Sequence, residues 1–204
     1  MSDGYLNKVY GARDAQATQQ LYDAWSASYE AEITENGYAT PARCAAALKQ
    51  VKTDPTQPIL DFGCGTGLSG LALRLAGFDV IDGVDLSPEM LAQARTKDIY
   101  RDLKEIAPDA KLDVAPGTYN AIAAIGVIGA GAAPLSTVDM LMNALDTGGK
   151  FVFSFNDHAL ADPAYEARIC EWTDCGAASL LFREHGDHLP GIGLKATVYV
   201  LEKR

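Results

Sequence analysis

Apolar residues recur along the chain in two alternating rhythms. Leu21, Tyr22, Trp25, Tyr29 and Ile33 follow one another at spacings of one, three and four, the period of a helix that buries one face. A second helix is expected from Pro41, at the first helical position after Thr40, through Leu48. Residues 54–58 then break the pattern. Beyond them, short apolar runs at 58–62, 78–84, 119–125 and 150–155 read as strands. Between these lie helical patterns at 68–76, ending at Gly77, at 88–97, capped by Ser87 with Pro88 in the first turn, and at 135–145. The tail changes rhythm, because runs at 179–184 and 196–201 have no helix between them and are expected to pair antiparallel.

Strands that alternate with helices imply right-handed crossovers and a largely parallel sheet covered on both faces. The 204 residues suit one domain overall, with residues 1–50 as a helical cap and 51–204 as an α/β core. Composition adds little to this picture, with 48% hydrophobic and 22% charged residues. Charge adds more. The net charge of −10, without a Lys/Arg cluster, argues against a phosphate backbone or an anionic membrane as partner. The opening MSDGYLNKVYGARDAQ lacks the apolar core of a signal peptide, so the expected compartment is the cytoplasm. Cys44, Cys64, Cys170 and Cys175 offer neither a disulfide framework nor paired metal ligands, and no metal site is expected.

The chemistry concentrates in Asp61-Phe62-Gly63-Cys64-Gly65-Thr66-Gly67, where a strand enters a glycine-dense turn that opens a helix. Such glycines accept positive φ and let a ligand lie against the main chain. Gly65 to Gly70 also satisfies GxGxxG, with Asp85 20 residues after Gly65, so a dinucleotide is a rival ligand. Asp61 separates the two readings. A carboxylate at the tip of the first strand repels a pyrophosphate and suits an ammonium. Asp85, at the tip of the second strand, can accept hydrogen bonds from ribose hydroxyls, whereas Asp82 reads as an exposed strand residue.

These residues resemble a known family. DFGCGTG at 61–67 and GVDLSPEMLAQAR at 83–95 are similar to motif I and the adjoining acidic motif of class I S-adenosylmethionine-dependent methyltransferases. YNAIAAIGVIG at 119–129, LDTGGKFVFSFND at 145–157 and LYDAWSASYE at 21–30 extend the likeness over most of the chain. It is nearest the Williams–Beuren-region methyltransferase-like branch. The resemblance implies a Rossmann-like, seven-stranded, mostly parallel sheet with an antiparallel last strand and N-terminal helices. It also implies S-adenosyl-L-methionine as cofactor, S-adenosyl-L-homocysteine as product, and a small-molecule methyl acceptor for a monomer or homodimer. Asp61 would then anchor the methionine amino group, directly or by water, above a backbone floor of Gly63, Cys64, Gly65, Thr66 and Gly67. Asp85 would hold the ribose, Leu86 and Met90 would flank the adenine, Ile125 would lie near the sulfonium, and Tyr29 would close over the cofactor. Tyr22, Trp25, Asn156 and His158 fall on the acceptor side.

Each of these has a plainer reading. Tyr22, Trp25 and Tyr29 also suit a stripe packing the helix onto the core, Met90 suits plain core, and Cys64 reads as a small loop residue rather than a nucleophile. The chain also departs from its relatives. The segment 102–108 gives no Asp-Leu or Asp-Ala pair to read the adenine amino group, and 129–132 lacks a histidine found there in relatives. Methyl transfer depends mainly on alignment, so no catalytic base is assigned. His158, beside Asp157 at the fifth-strand exit, and His185 and His188, between the final strands, are the histidines to place. Two alternatives stay open: a binding protein that keeps the cofactor pocket without turnover, and a nicotinamide-dependent oxidoreductase.

Overall fold

The computed structural model describes residues 15–107, 112–129 and 131–204, with the side chains of 15–18 left out. The first 14 residues of the expected cap, Pro108 of the adenine segment and Ala130 of the fourth-strand exit therefore lie outside the described residues. Two helices come first, α1 (Ala15–Glu35) and α2 (Thr40–Gln50). They are followed by β1 (Ile59–Phe62), α3 (Leu68–Ala76), β2 (Ile81–Asp85), α4 (Pro88–Thr96), β3 (Asp102–Glu105) and β4 (Ala121–Ala124). The chain continues through α5 (Thr137–Ala144), β5 (Lys150–Asn156), α6 (Asp157–Leu160), α7 (Ala164–Asp174), β6 (Ala178–Leu189) and β7 (Leu194–Lys203).

The sheet has seven strands in the order β3-β2-β1-β4-β5-β7-β6, with β7 antiparallel to both of its neighbours and the other pairs parallel. The register sets Ile59 beside both Ile81 and Ala121, so the β1 and β2 tips, carrying Asp61 and Asp85, end at the same edge. Alternation along β5 sorts its side chains between the two faces. Phe151, Phe153 and Phe155 pack with Tyr199 on one face, with Phe153 and Tyr199 stacked at 5.2 Å. Val152 joins Val198, Val200 and Ile59 on the other, under α2 and α3. Small residues let α2 approach closely, since Cys44, Ala45 and Ala47 are fully buried there. Among the described residues, no helix is long and apolar enough to cross a membrane.

Several expectations need correction. The strand expected from residue 78 begins at Ile81, because Gly77 ends α3 in the left-handed region and Phe78 N–H bonds back to Leu73. Asp82 is buried rather than exposed; it accepts from Arg101 and from the Tyr119 hydroxyl at 3.0 Å, which satisfies its charge inside the sheet edge. Residues 102–105 are the third strand itself, and Ile106-Ala107 come directly after its end. The last two strands are much longer than expected, and the hairpin joining them carries two register shifts, one of them between Asp187 and Leu189. Neither α6 nor α7 was expected.

Candidate functional site

The glycine turn connects β1 to α3, and Gly63, Gly65 and Gly67 all adopt positive φ. A Cβ on Gly63 would fall within 2.7 Å of the Val127 side chain, so glycine is required there by space as well as by conformation. Gly63 and Gly65 form part of the wall of a cavity of about 660 Å³ that opens at the carboxyl edge of the sheet. That is where open α/β sheets bind ligands. Asp85, Leu86, Met90 and Ile125 stand in the same wall, and Tyr22 and Tyr29 close it from α1. All six are candidates from the sequence, five for the cofactor and Tyr22 for the acceptor side. Beyond them the wall turns apolar, through Ile106, Ala107, Leu112 and Val114.

Asp85 is anchored by the main chain: Gly65 N–H donates to its Oδ2 at 2.8 Å and Ser87 N–H to its Oδ1 at 2.9 Å. Burial raises its pKa, and those N–H groups oppose the rise. Each oxygen keeps a further lone pair for a ligand hydroxyl.

Asp61 lies behind the loop, wholly buried and outside the cavity wall. The Ser69 hydroxyl donates to its Oδ2 at 2.6 Å and the Tyr100 hydroxyl donates to the same oxygen at 2.7 Å. Its Oδ1 has no hydrogen-bond partner. Burial pushes the carboxyl up to about 6, against the pull of the two hydroxyls. A buried carboxylate oxygen left bare is costly, and a donor arriving there removes the cost. Ser69 and Tyr100 were not identified from sequence. Tyr100 sits 39 positions from Asp61, and no local pattern ties the two together.

The remaining loop residues take supporting positions. Cys64 is buried and its thiol is held well above its ordinary range by burial, which keeps it protonated and removes any case for a nucleophile. Thr66 is buried with Oγ1 unpartnered, and Gly67 opens α3 against Tyr100 and Ala94. None of the three lies in the cavity wall.

A second, smaller cavity of about 60 Å³ adjoins the first, and the two share Tyr22, Tyr29, Gly126 and Ala132 in their walls. Trp25 and Asn156, two of the acceptor-side candidates, line it together with Tyr38, Ser154 and His188. Trp25 also serves the core: it is 2% exposed, and its Nε1–H donates to Glu32 at 2.8 Å. Asn156 caps α6 through its Oδ1, which accepts from Ala159 N–H at 3.0 Å. His158 is exposed on α6 and lines neither cavity. The histidine that does so is His188, named with His185 between the final strands but not assigned to the acceptor side.

Four observations test whether these residues suit S-adenosylmethionine. The bare Asp61 Oδ1 suits an ammonium or its bridging water. Nothing lies within 4 Å of where a Cβ on Gly65 would sit, which leaves a cradle open above the loop. Asp85 suits a ribose diol, and Leu86 and Met90 suit the faces of a purine. The residues fit the cofactor.

The family model described as "Methyltransferase domain" matches residues 37–193 of the chain. Human methyltransferase-like protein 27 is 31% identical over 139 residues, covering 67% of this chain and 57% of that protein. The 18S rRNA (guanine(1575)-N(7))-methyltransferase of Saccharomyces cerevisiae is 32% identical over 137 residues, covering 60% of this chain and 50% of that protein. The chain thus spans about half the length of the curated relatives it matches. Among solved structures, a methyltransferase from Thiobacillus denitrificans in complex with S-adenosyl-L-homocysteine shares the fold, with a TM-score of 0.57 and 16% identity over 81% of this chain and 91% of that one.

Proposed function

The chain belongs to the methyltransferase domain family, and on that premise we propose that it moves a methyl group from S-adenosylmethionine to a small-molecule acceptor, leaving S-adenosylhomocysteine. The observation that carries the reading is the unpartnered buried oxygen of Asp61 behind a glycine loop whose neighbouring strand ends in Asp85. A pyrophosphate would meet two buried carboxylates there, which speaks against a nicotinamide cofactor.

When bound, the cofactor supplies a methyl carbon already activated by a positive sulfur. The protein's residues then need to bind, align and exclude water. Asp61 takes the ammonium end, Asp85 the ribose, and Leu86, Met90, Ile106 and Ala107 the purine. An apolar side chain, Ala107, stands after β3 where relatives place an adenine-reading Asp-Leu or Asp-Ala pair, so hydrophobic contact holds this end of the ligand. Tyr29 and Tyr22 of α1, the covering part of the N-terminal cap, shut water out from above. Gly126, common to both walls with the Tyr38 hydroxyl lying against it, marks where the methyl group would pass toward the smaller cavity.

The net charge of −10 supports a small acceptor over a phosphate backbone, although one relative is named for ribosomal RNA. Titration calorimetry with S-adenosylmethionine, S-adenosylhomocysteine and NADH tests the cofactor: tight uptake of the first two and none of the third is expected. Tight NADH uptake with no affinity for either sulfur compound would overturn the reading. Methyl release to a panel of acceptors then separates an enzyme from a silent cofactor-binding protein.

A further inference from the structure

We propose that the smaller cavity is the methyl-acceptor pocket and that it takes the tip of a narrow, uncharged alkyl amine, hydrogen-bonded to His188. The proposal rests on the reading of the larger cavity as the cofactor site and adds the acceptor's chemical class.

His188 owes its place to a fault in the hairpin. The register between β6 and β7 shifts between Asp187 and Leu189, so His188 is the residue without a partner across the ladder. Bulges of this kind re-aim a side chain and cluster beside active sites. Arg43 pins the distorted strand, donating to Asp187 O at 2.9 Å and Ala196 O at 3.0 Å. The His188 carbonyl accepts from Ala39 N–H at 3.0 Å, and its ring stands edge-on to Tyr38 at 5.3 Å. Nδ1 lies 2.8 Å from the Thr40 hydroxyl, while Nε2 has no hydrogen-bond partner among the described residues. A ring fixed on three sides and free at one nitrogen presents that nitrogen to whatever enters the cavity.

Size excludes bulky acceptors. The cavity holds about 60 Å³, well short of the roughly 150 Å³ known to accommodate benzene, so only a narrow chain tip enters. Charge excludes anions. Among the described residues no charged side chain lines the cavity; four aromatic rings do, from Tyr22, Trp25, Tyr29 and Tyr38, and a carboxylate buried among them would have no cationic partner there.

The lining decides between an alcohol and an amine: among the described residues it holds no carboxylate to act as a base, and its one basic nitrogen belongs to His188, held between Thr40 and Tyr38. Burial pushes His188 down to about 4, with Arg43 and His158 lowering it further and Asp157 opposing them. So weak a base cannot draw the proton from an alcohol. An alkyl amine is protonated in neutral solution and loses that proton to solvent as it enters; the neutral amine then needs no base from the protein, its lone pair forming the new N–C bond as the C–S bond breaks, and the electron pair of that bond stays on sulfur. The nitrogen then carries the positive charge, which the surrounding ring faces stabilise, and solvent takes its proton after release. His188 Nε2, as acceptor of an amine N–H, turns the lone pair toward Gly126. Ser154 fixes Gly126 by accepting from its N–H at 3.0 Å.

The test uses n-butylamine, n-butanol and butyrate as probes with the full chain and S-adenosylmethionine, reading S-adenosylhomocysteine release. Imidazole NMR of the protein without cofactor gives an independent readout, with the His188 signal identified by its loss in His188→Gln. Turnover of the amine alone is expected, together with a shift of the His188 signal on adding n-butylamine. His188→Gln should lower kcat for the amine about tenfold, with cofactor affinity unchanged. If His188→Gln does not fold, Tyr38→Phe keeps the ring against His188 but removes the hydroxyl that lies against Gly126 between the two cavities, and should lower kcat/KM severalfold. Equal turnover of n-butanol or butyrate overturns the proposal. So does cofactor binding without amine turnover or NMR shift, an outcome that leaves the methyltransferase reading standing. Absence of cofactor binding overturns that reading instead, and the NMR titration still reports on the amine site.

Discussion

Asp61 is held in a state that works against stability. Ionising it inside the fold is opposed by burial, which its two hydroxyl donors only partly offset. Asp61→Asn keeps an oxygen to accept from Ser69 and Tyr100 and removes the charge. Cofactor affinity at pH 8 is expected to fall about tenfold to a hundredfold, the usual worth of a hydrogen bond to a charged group, as measured by calorimetry. Stability of the ligand-free protein should hold or rise. A loss of stability with affinity intact would place Asp61 in the scaffold and outside the binding chemistry. Gly63→Ala is a contrasting case, because its φ of +69° and the Val127 side chain both resist a Cβ. Denaturant unfolding should show a loss of at least about 1 kcal/mol. Asp61 and the glycines could be read from sequence because they lie in one short run; Tyr100 and Ser69 could not, because their role exists only once β1, α3 and the β3 approach are packed together.

α1 covers the larger cavity; it buries Trp25 and Ile33 in an apolar cluster and makes polar contacts to α4 and the residues flanking it. Gln93 Nε2 donates to Ser26 O at 2.6 Å, Gln19 Nε2 to Leu86 O at 2.7 Å, and Lys97 pairs with Glu30 at 2.5 Å. Such bonds are individually weak in contact with water. The double variant Gln93→Ala, Lys97→Ala should therefore speed cofactor release severalfold in stopped-flow measurements and change global stability by less than about 1 kcal/mol. An unchanged release rate would mean that α1 is a fixed wall and not a cover that opens. The helical stripe on α1 was legible because Leu21, Tyr22, Trp25, Tyr29 and Ile33 keep a strict period, and the aromatic residues among them serve core and cavity together. β3 was not legible: it is a four-residue edge strand of mostly exposed polar side chains, and only its pairing with β2 defines it. The hairpin of β6 and β7 was seen in outline, but the bulge that delivers His188 arises from long-range register, which local alternation does not encode.

Across the whole molecule, two buried groups, Asp61 behind the glycine loop and His188 in the wall of the smaller cavity, drive stability in opposite directions as pH changes. Asp61 is raised from 3.8 to about 6, so the unfolded chain loses its proton first and stability falls as pH rises through that window. Asp85, also raised by burial, adds in the same sense. His188 is lowered from 6.5 to about 4, so the unfolded chain binds the proton first and stability is lost as pH falls through that window. Each of the two larger shifts is worth roughly 3 kcal/mol, and in the intact protein they largely offset one another between about pH 4 and 6. Single variants should separate them. Relative to the parent, Asp61→Asn should gain stability as pH rises from about 4 to 6, and His188→Gln should lose it from about 4 to 6.5. Urea unfolding at half-unit pH steps measures both slopes. Two variants that run parallel to the parent would mean that water reaches both sites, and the dry, uncharged pocket on which the choice of an amine depends would not exist.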